Sequence, residues 1–195
     1  RELNIGGDTS ESSDSIQIQK LKNIVSYINQ KYKKYIINPL QQDGSFKASM
    51  DSTNPSAINK IIKYSLADHL SKKAPTCEED IFKACKTINT FIKQDSTAFL
   101  NCRDMCFLLS KKLLENGFRD FFWQQSRSKE EDVFSTHCYL VYKLANQQQI
   151  VLCSWSNHCP IITDHVYQED LNYIFPANSL YRHIFSKEVL FRVES

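Results

Sequence analysis

Apolar residues in the first half of the chain recur at the three-and-four spacing of a helix face, and in the second half this gives way to short aromatic and β-branched runs. Residues 16–37 place Ile18, Leu21, Val25, Ile28, Tyr32 and Tyr35 on one stripe, so the spacing predicts an amphipathic helix. Asp14 or Ser15 is positioned to cap it, and Pro39 lies just past its end. Residues 41–56, with Gly44 and Pro55, read as a loop. A second helix is predicted over 56–72 from Ile58, Ile61, Ile62, Leu66 and Leu70, with Pro75 beyond it. Thr76 and Glu79 have the spacing of a capping box for a third helix over 77–93, whose inner face is Ile81, Cys85, Ile88 and Ile92. A fourth helix over 101–116 turns Met105, Leu108, Leu109, Leu113 and one or both of Cys102 and Cys106 inward, and Gly117 supplies the left-handed stop. Strands are then expected over 118–125, 135–145 and 149–155, separated by polar turns at Ser126–Asp132 and Asn146–Gln149. A short helix over 168–175, ended by Pro176, and a last strand over 188–193 complete the pattern. Helices followed by a mostly antiparallel sheet define an α+β fold.

The polar stretch 1–15 offers almost no apolar anchor and is expected to be disordered, without the apolar core of a signal peptide. Residues 16–195 read as a single domain, with a helical part over 16–93 and a sheet-bearing core over 94–195. A chain of 195 residues buries enough surface to fold without covalent staples. Its net charge of +2 gives no electrostatic footprint for nucleic acid. Lys31, Lys33 and Lys34 beside Tyr32 and Tyr35 read as a solvated helix face. No apolar run reaches the ~18 residues of a membrane span. With only four glycines there is no phosphate-cradling loop. The seven cysteines include no Cys-x-x-Cys pair, so reduced thiols are expected rather than a disulfide framework. Cys153, His158, Cys159 and His165 match no structural zinc spacing, and neither a metal nor a cofactor is expected.

The segment NCRDMCFLLSKKLLENGF, residues 101–118, carries the chemistry. It starts a buried helix with a cysteine in the first turn, where unpaired N–H groups and the helix dipole favour a thiolate. Thiolate, not thiol, is the nucleophile. After one strand and a polar loop, a second strand opens with His137, and a histidine there can face the thiol of Cys102. The resting form expected is a thiolate–imidazolium ion pair. Asp104 reads as a partner for the helix dipole. The backbone N–H of Cys102 is a candidate oxyanion donor, and Gln94 is another by its resemblance to related folds, where a glutamine upstream of the cysteine has that role.

This pattern resembles the core of the transglutaminase-like cysteine enzymes, which share the papain-like Cys-His-Asp/Asn logic. Cys102-Arg103-Asp104 is followed by the pairs Leu108-Leu109 and Leu113-Leu114 and then Gly117, and His137-Cys-Tyr-Leu-Val-Tyr fits the family's histidine strand. The resemblance covers about residues 95–157. It implies a Cys102 nucleophile, a His137 base and an acid closing the next strand. There the chain departs from the family, because Ile150-Val-Leu-Cys-Ser-Trp155 puts Cys153 or Ser154 in the acid's place. A hairpin turning at Asn146–Gln149 would bring positions 154–157 beside His137. Ser154 or Asn157 could then orient the imidazole through a neutral hydrogen bond, and Asp164 or Asp170 could fold back to it. Asp164 is the preferred third member, since the extended 160–163 segment could lie alongside the histidine strand.

The resemblance implies an enzyme acting on amide bonds of a protein substrate: a protease or deamidase if water accepts the acyl group, a transglutaminase if a lysine amine does. The rival expectation is a catalytically inactive member that binds a protein, its surface lying in residues 16–93. Acyl transfer from a thioester cofactor is a lesser alternative using the same pair. Reduced thiols suit a cytoplasmic protein, and usage rich in Ile, Asn, Lys and Gln, with the odd domain size and the helical N-terminal half, suits a bacterial effector secreted into a host cytosol.

Overall fold

A computed structural model describes the backbone of residues 5–36, 74–94, 100–128, 136–155, 158–163 and 184–195. Among these residues the chain is α+β: three α-helices, a 3-10 turn and one five-stranded antiparallel sheet.

Helix α1 spans Ile5–Tyr32 and runs into a 3-10 turn over Lys33–Tyr35. Its start is earlier than the sequence pattern suggests, because residues 5–15 continue the helix instead of preceding it. The expected stripe is buried at Leu21, Val25, Ile28 and Tyr32. The loop over 41–56 and the helix over 56–72 lie outside the described residues.

Helix α2, Glu78–Gln94, buries Ile81, Cys85, Ile88 and Ile92 as its periodicity requires. Its start is held differently from the expected Thr76–Glu79 box. The Thr76 backbone N–H and hydroxyl both donate to Asp80 Oδ2, at 2.9 and 2.8 Å. Helix α3, Cys102–Glu115, begins with a reciprocal capping box: Asp104 N–H donates to Asn101 Oδ1 at 3.0 Å, and Asn101 N–H donates to Asp104 Oδ2 at 2.9 Å. It ends at Gly117, φ +78°, with Phe118 N–H bonded to the Leu113 carbonyl and Gly117 N–H to that of Leu114. That pairing is a Schellman stop.

The strands are β1 (Phe121–Ser128), β2 (Thr136–Lys143), β3 (Gln149–Cys153), β4 (His158–Thr163) and β5 (Ile184–Val193), in the spatial order β4-β3-β2-β1-β5. The β2–β3 hairpin pairs Leu140 with Leu152 and Val141 with Val151. It turns at Asn146–Gln148, where Gln147 takes φ +75°. The Pro160–Thr163 stretch read as extended belongs to β4. The 168–175 helix falls outside the described residues.

Strand alternation decides what meets α3. Trp123 Nε1 donates to Ser110 Oγ at 2.9 Å, Arg103 Nη2 donates to Gln125 Oε1 at 3.1 Å, and the Phe107 ring meets Trp123 edge-on at 4.7 Å. Cys138 and Leu140 pair across from Gln125 and Trp123 and so share this face. Helix α1 touches α3, β3 and β4. Its buried Asn29 donates to the Ser154 carbonyl at 2.7 Å. Helix α2 packs on α3, where Cys85 Sγ donates to the Phe107 carbonyl at 3.2 Å.

Candidate active site

The first turns of α3 abut the adjoining ends of β2 and β3. The crevice between them is lined by Cys102, Met105, Cys106, Cys138, Cys153 and Trp155, and holds no space for a water molecule. Cys102 keeps part of its surface near the edge, while its thiol is withdrawn into this crevice. Burial pushes that thiol up to about 12, and the neighbouring Cys138 thiol adds to the rise. A hydrogen bond from the Cys138 main chain and the charge of Arg103 pull the other way without prevailing. The helix terminus therefore does not win against desolvation in this closed arrangement.

His137 is 2% exposed. Its ring stacks on Tyr139 at 5.7 Å and sits 5.1 Å from the Trp155 ring. The β2–β3 register, continued three residues past its last pair, sets Trp155 opposite His137, as expected for a hairpin turning at 146–149. Burial holds the imidazole down at about 3. Thiol and imidazole are thus both driven to their neutral forms, the reverse of the expected ion pair. The cause is common to both: each is charged only if water or a counter-charge reaches it.

A sulfur does reach the imidazole, and it is that of Cys153, 3.4 Å from Nε2. Cys153, one of the two residues at the position where the sequence resemblance calls for an acid, is therefore at the ring as a thiol. Ser154, the other residue at that place, is turned away. Its hydroxyl donates to the Met105 carbonyl at 3.4 Å and its own carbonyl accepts from Asn29. Asn157, Asp164 and Asp170 lie outside the described residues.

Alternation along β2 sends Cys138 toward α3 and His137 to the opposite face, beside Ser126 and Tyr139. The structure thus brings Cys102 together with Cys138 and Cys153, and brings Cys153 together with His137. A direct Cys102–His137 hydrogen bond is not among the contacts of the described residues. Asp104 is fully buried as the capping partner of Asn101, a structural role. Gln94 is the exposed last residue of α2.

A buried polar group around the imidazole was missed from the sequence. Gln124 Nε2 donates to the Tyr139 hydroxyl at 2.7 Å, and Ser126 Oγ lies 2.6 Å from the same oxygen. A signal was present: polar residues at alternate positions of a strand whose other face is aromatic. Among the described residues no group of three or more His, Cys, Asp or Glu is placed to hold a metal ion, and no helix is long and apolar enough to cross a membrane. Compared with protein-family models, curated proteins and solved structures, the chain matches none.

Proposed function

We propose that this chain is a cysteine-dependent enzyme acting on amide bonds of a protein substrate, built on a transglutaminase-like core. Cys102 is its nucleophile, His137 its base and Asp164 the acid that orients the base. One observation supports this reading above others. The capped first turn of α3 meets the ends of β2 and β3, so the Cys102 thiol shares a crevice with Cys153, whose sulfur in turn touches the His137 ring.

The described arrangement is then a closed resting form. Desolvation raises the thiol and depresses the imidazole. Opening that admits substrate or water to the thiol and to the imidazole relieves each of them, toward thiolate and imidazolium. In the opened site the Cys102 sulfur attacks the amide carbonyl, and a C–S bond forms as the C–N bond breaks. His137 hands its proton to the departing ammonia or amine, leaving a thioester on Cys102. His137 then takes a proton from the acceptor as it attacks. Water gives hydrolysis or deamidation, and a lysine amine gives a new isopeptide bond. The setting that goes with this chemistry is a cytosol, the producing cell's own or that of a host receiving an effector.

The test is turnover in the wild type and in Cys102→Ala: ammonia release, peptide cleavage and incorporation of a fluorescent primary amine, with whole-cell protein as substrate. Loss of all signal in Cys102→Ala is expected, with the melting temperature within a few degrees of wild type, because a first-turn residue contributes modest packing. Activity that survives the substitution would assign the chemistry to another residue. A second reading, a transglutaminase-like module that binds a protein without turning it over, is favoured by the neutral thiol and imidazole and by a thiol standing where the acid is expected. A wild type that shows none of the three signals supports it.

A further inference from the structure

Two of the buried thiols lie in contact. Cys106 on α3 and Cys138 on β2 have their sulfurs 3.7 Å apart, each side chain almost wholly enclosed. Both line the crevice that holds Cys102 and Cys153. A disulfide has sulfurs ~2.05 Å apart, so the pair must close by roughly 1.6 Å, a distance that modest side-chain rotation covers. We propose that Cys106 and Cys138 form a redox-active pair, converted by a peroxide-class oxidant into a disulfide that staples α3 to β2.

The reaction balances as two thiols and one hydrogen peroxide giving one disulfide and two waters. One sulfur first takes the peroxide oxygen to become a sulfenic acid, releasing one water. The other sulfur then displaces that oxygen as the S–S bond forms, releasing the second water and completing the two-electron oxidation. Burial pushes the Cys106 thiol well above the ordinary range, so the oxidant acts when the α3–β2 junction opens, and the reaction is slow. Its outcome is set by geometry, since these two sulfurs already touch. The new bond fixes one wall of the Cys102 crevice. The consequence for catalysis rests on Cys102 being the nucleophile; formation of the bond does not.

The test is peptide mapping. Reduced full-length protein is treated with hydrogen peroxide, its remaining thiols are blocked with N-ethylmaleimide in denaturant, and the digest is read by mass spectrometry. Tryptic cleavage after Arg103 separates Cys102 from Cys106, so the two report independently. The expected product joins the Cys106 peptide to the Cys138 peptide, disappears on treatment with dithiothreitol, and leaves Cys102 recovered as its N-ethylmaleimide adduct. Oxidation that joins Cys102 to Cys138 or Cys153 instead, or that modifies the exposed Cys77 while Cys106 and Cys138 stay free, overturns the proposal. Because the mapping uses the wild-type protein, no variant has to fold for either result. A 106–138 link in a protein without turnover would uphold the redox pair while removing the enzyme reading.

Discussion

At the residue scale, desolvation outweighs the helix terminus. Cys102 occupies the position where a dipole and free N–H groups stabilise a thiolate, yet its thiol is pushed up to about 12 because the crevice excludes water. His137 gives the complementary case, and its effect on stability has a definite sign. Its pKa in the fold is lowered from 6.5 to about 3, so the imidazole is neutral when folded and gains a proton on unfolding at mildly acid pH. Between these two values the unfolded state binds more protons, so stability rises with pH and is lost as pH falls below about 6.5. The slope approaches about 1.4 kcal/mol per pH unit in the middle of that window. Urea unfolding of wild type and His137→Leu at pH 7, 5.5 and 4.5 should show a steeper acid loss in the wild type by that amount. Parallel acid losses would mean that the imidazole is solvated in the fold. The aspect of this residue legible in the sequence was its place at a strand mouth. Its burial was not, because that depends on Trp155 arriving across the β2–β3 hairpin and on Ser126 of the neighbouring β1, which pairs with it.

At the scale of elements, local rules were read well where side-chain and backbone signals coincide. The α3 segment is the clearest case, with Asn101 and Asp104 reciprocally capped at one end and Gly117 at φ +78° at the other. Apart from its two chain neighbours, no residue comes within 4 Å of where a Gly117 Cβ would stand, so Gly117→Ala tests the conformational cost alone. It should lower stability by about 1 kcal/mol, read from the urea midpoint at unchanged slope. No change would mean that the helix stop is not made in solution. Where two residues compete for one role, the sequence was less informative. Asp80 holds Thr76 where Glu79 was expected, since both carboxylates lie in the same first turn and only packing chooses between them. The start of α1 was misjudged because a Gly- and Ser-rich stretch carries no apolar stripe, and helix content there is continued from the packed part of the same helix.

At the scale of the whole molecule, α1 and α3 cover the sheet through a few buried polar links. Asn29 reaches from α1 to the Ser154 carbonyl at the end of β3, and Tyr32 donates to Asn89 Oδ1 on α2 at 2.9 Å. Asn29→Ala leaves a buried carbonyl without its donor and should cost about 2 kcal/mol, measured by denaturant unfolding. A cost under about 0.5 kcal/mol would mean that water replaces the side chain and that α1 is loosely seated. The α+β class was legible because the change from helical to alternating period falls at Gly117. The sheet order, with β5 beside β1 at one edge, was not, because strand adjacency across a long intervening segment leaves no local pattern. The site was legible in part. The capped cysteine-bearing helix and the histidine-bearing strand were recognisable, while the thiol of Cys153 at the imidazole depends on the β2–β3 register, which sets Cys153 across from Tyr139.

In the proposed site His137 governs the reactivity of Cys102. The decisive measurement is the rate of Cys102 alkylation by iodoacetamide, followed by mass spectrometry from pH 5 to 10, in wild type and in His137→Ala. Wild type should react at least ten times faster than the variant between pH 6 and 7, where opening lets the imidazole take the thiol's proton, with the two rates converging at high pH. Superimposable profiles, both no faster than a free model thiol at pH 6, would contradict it.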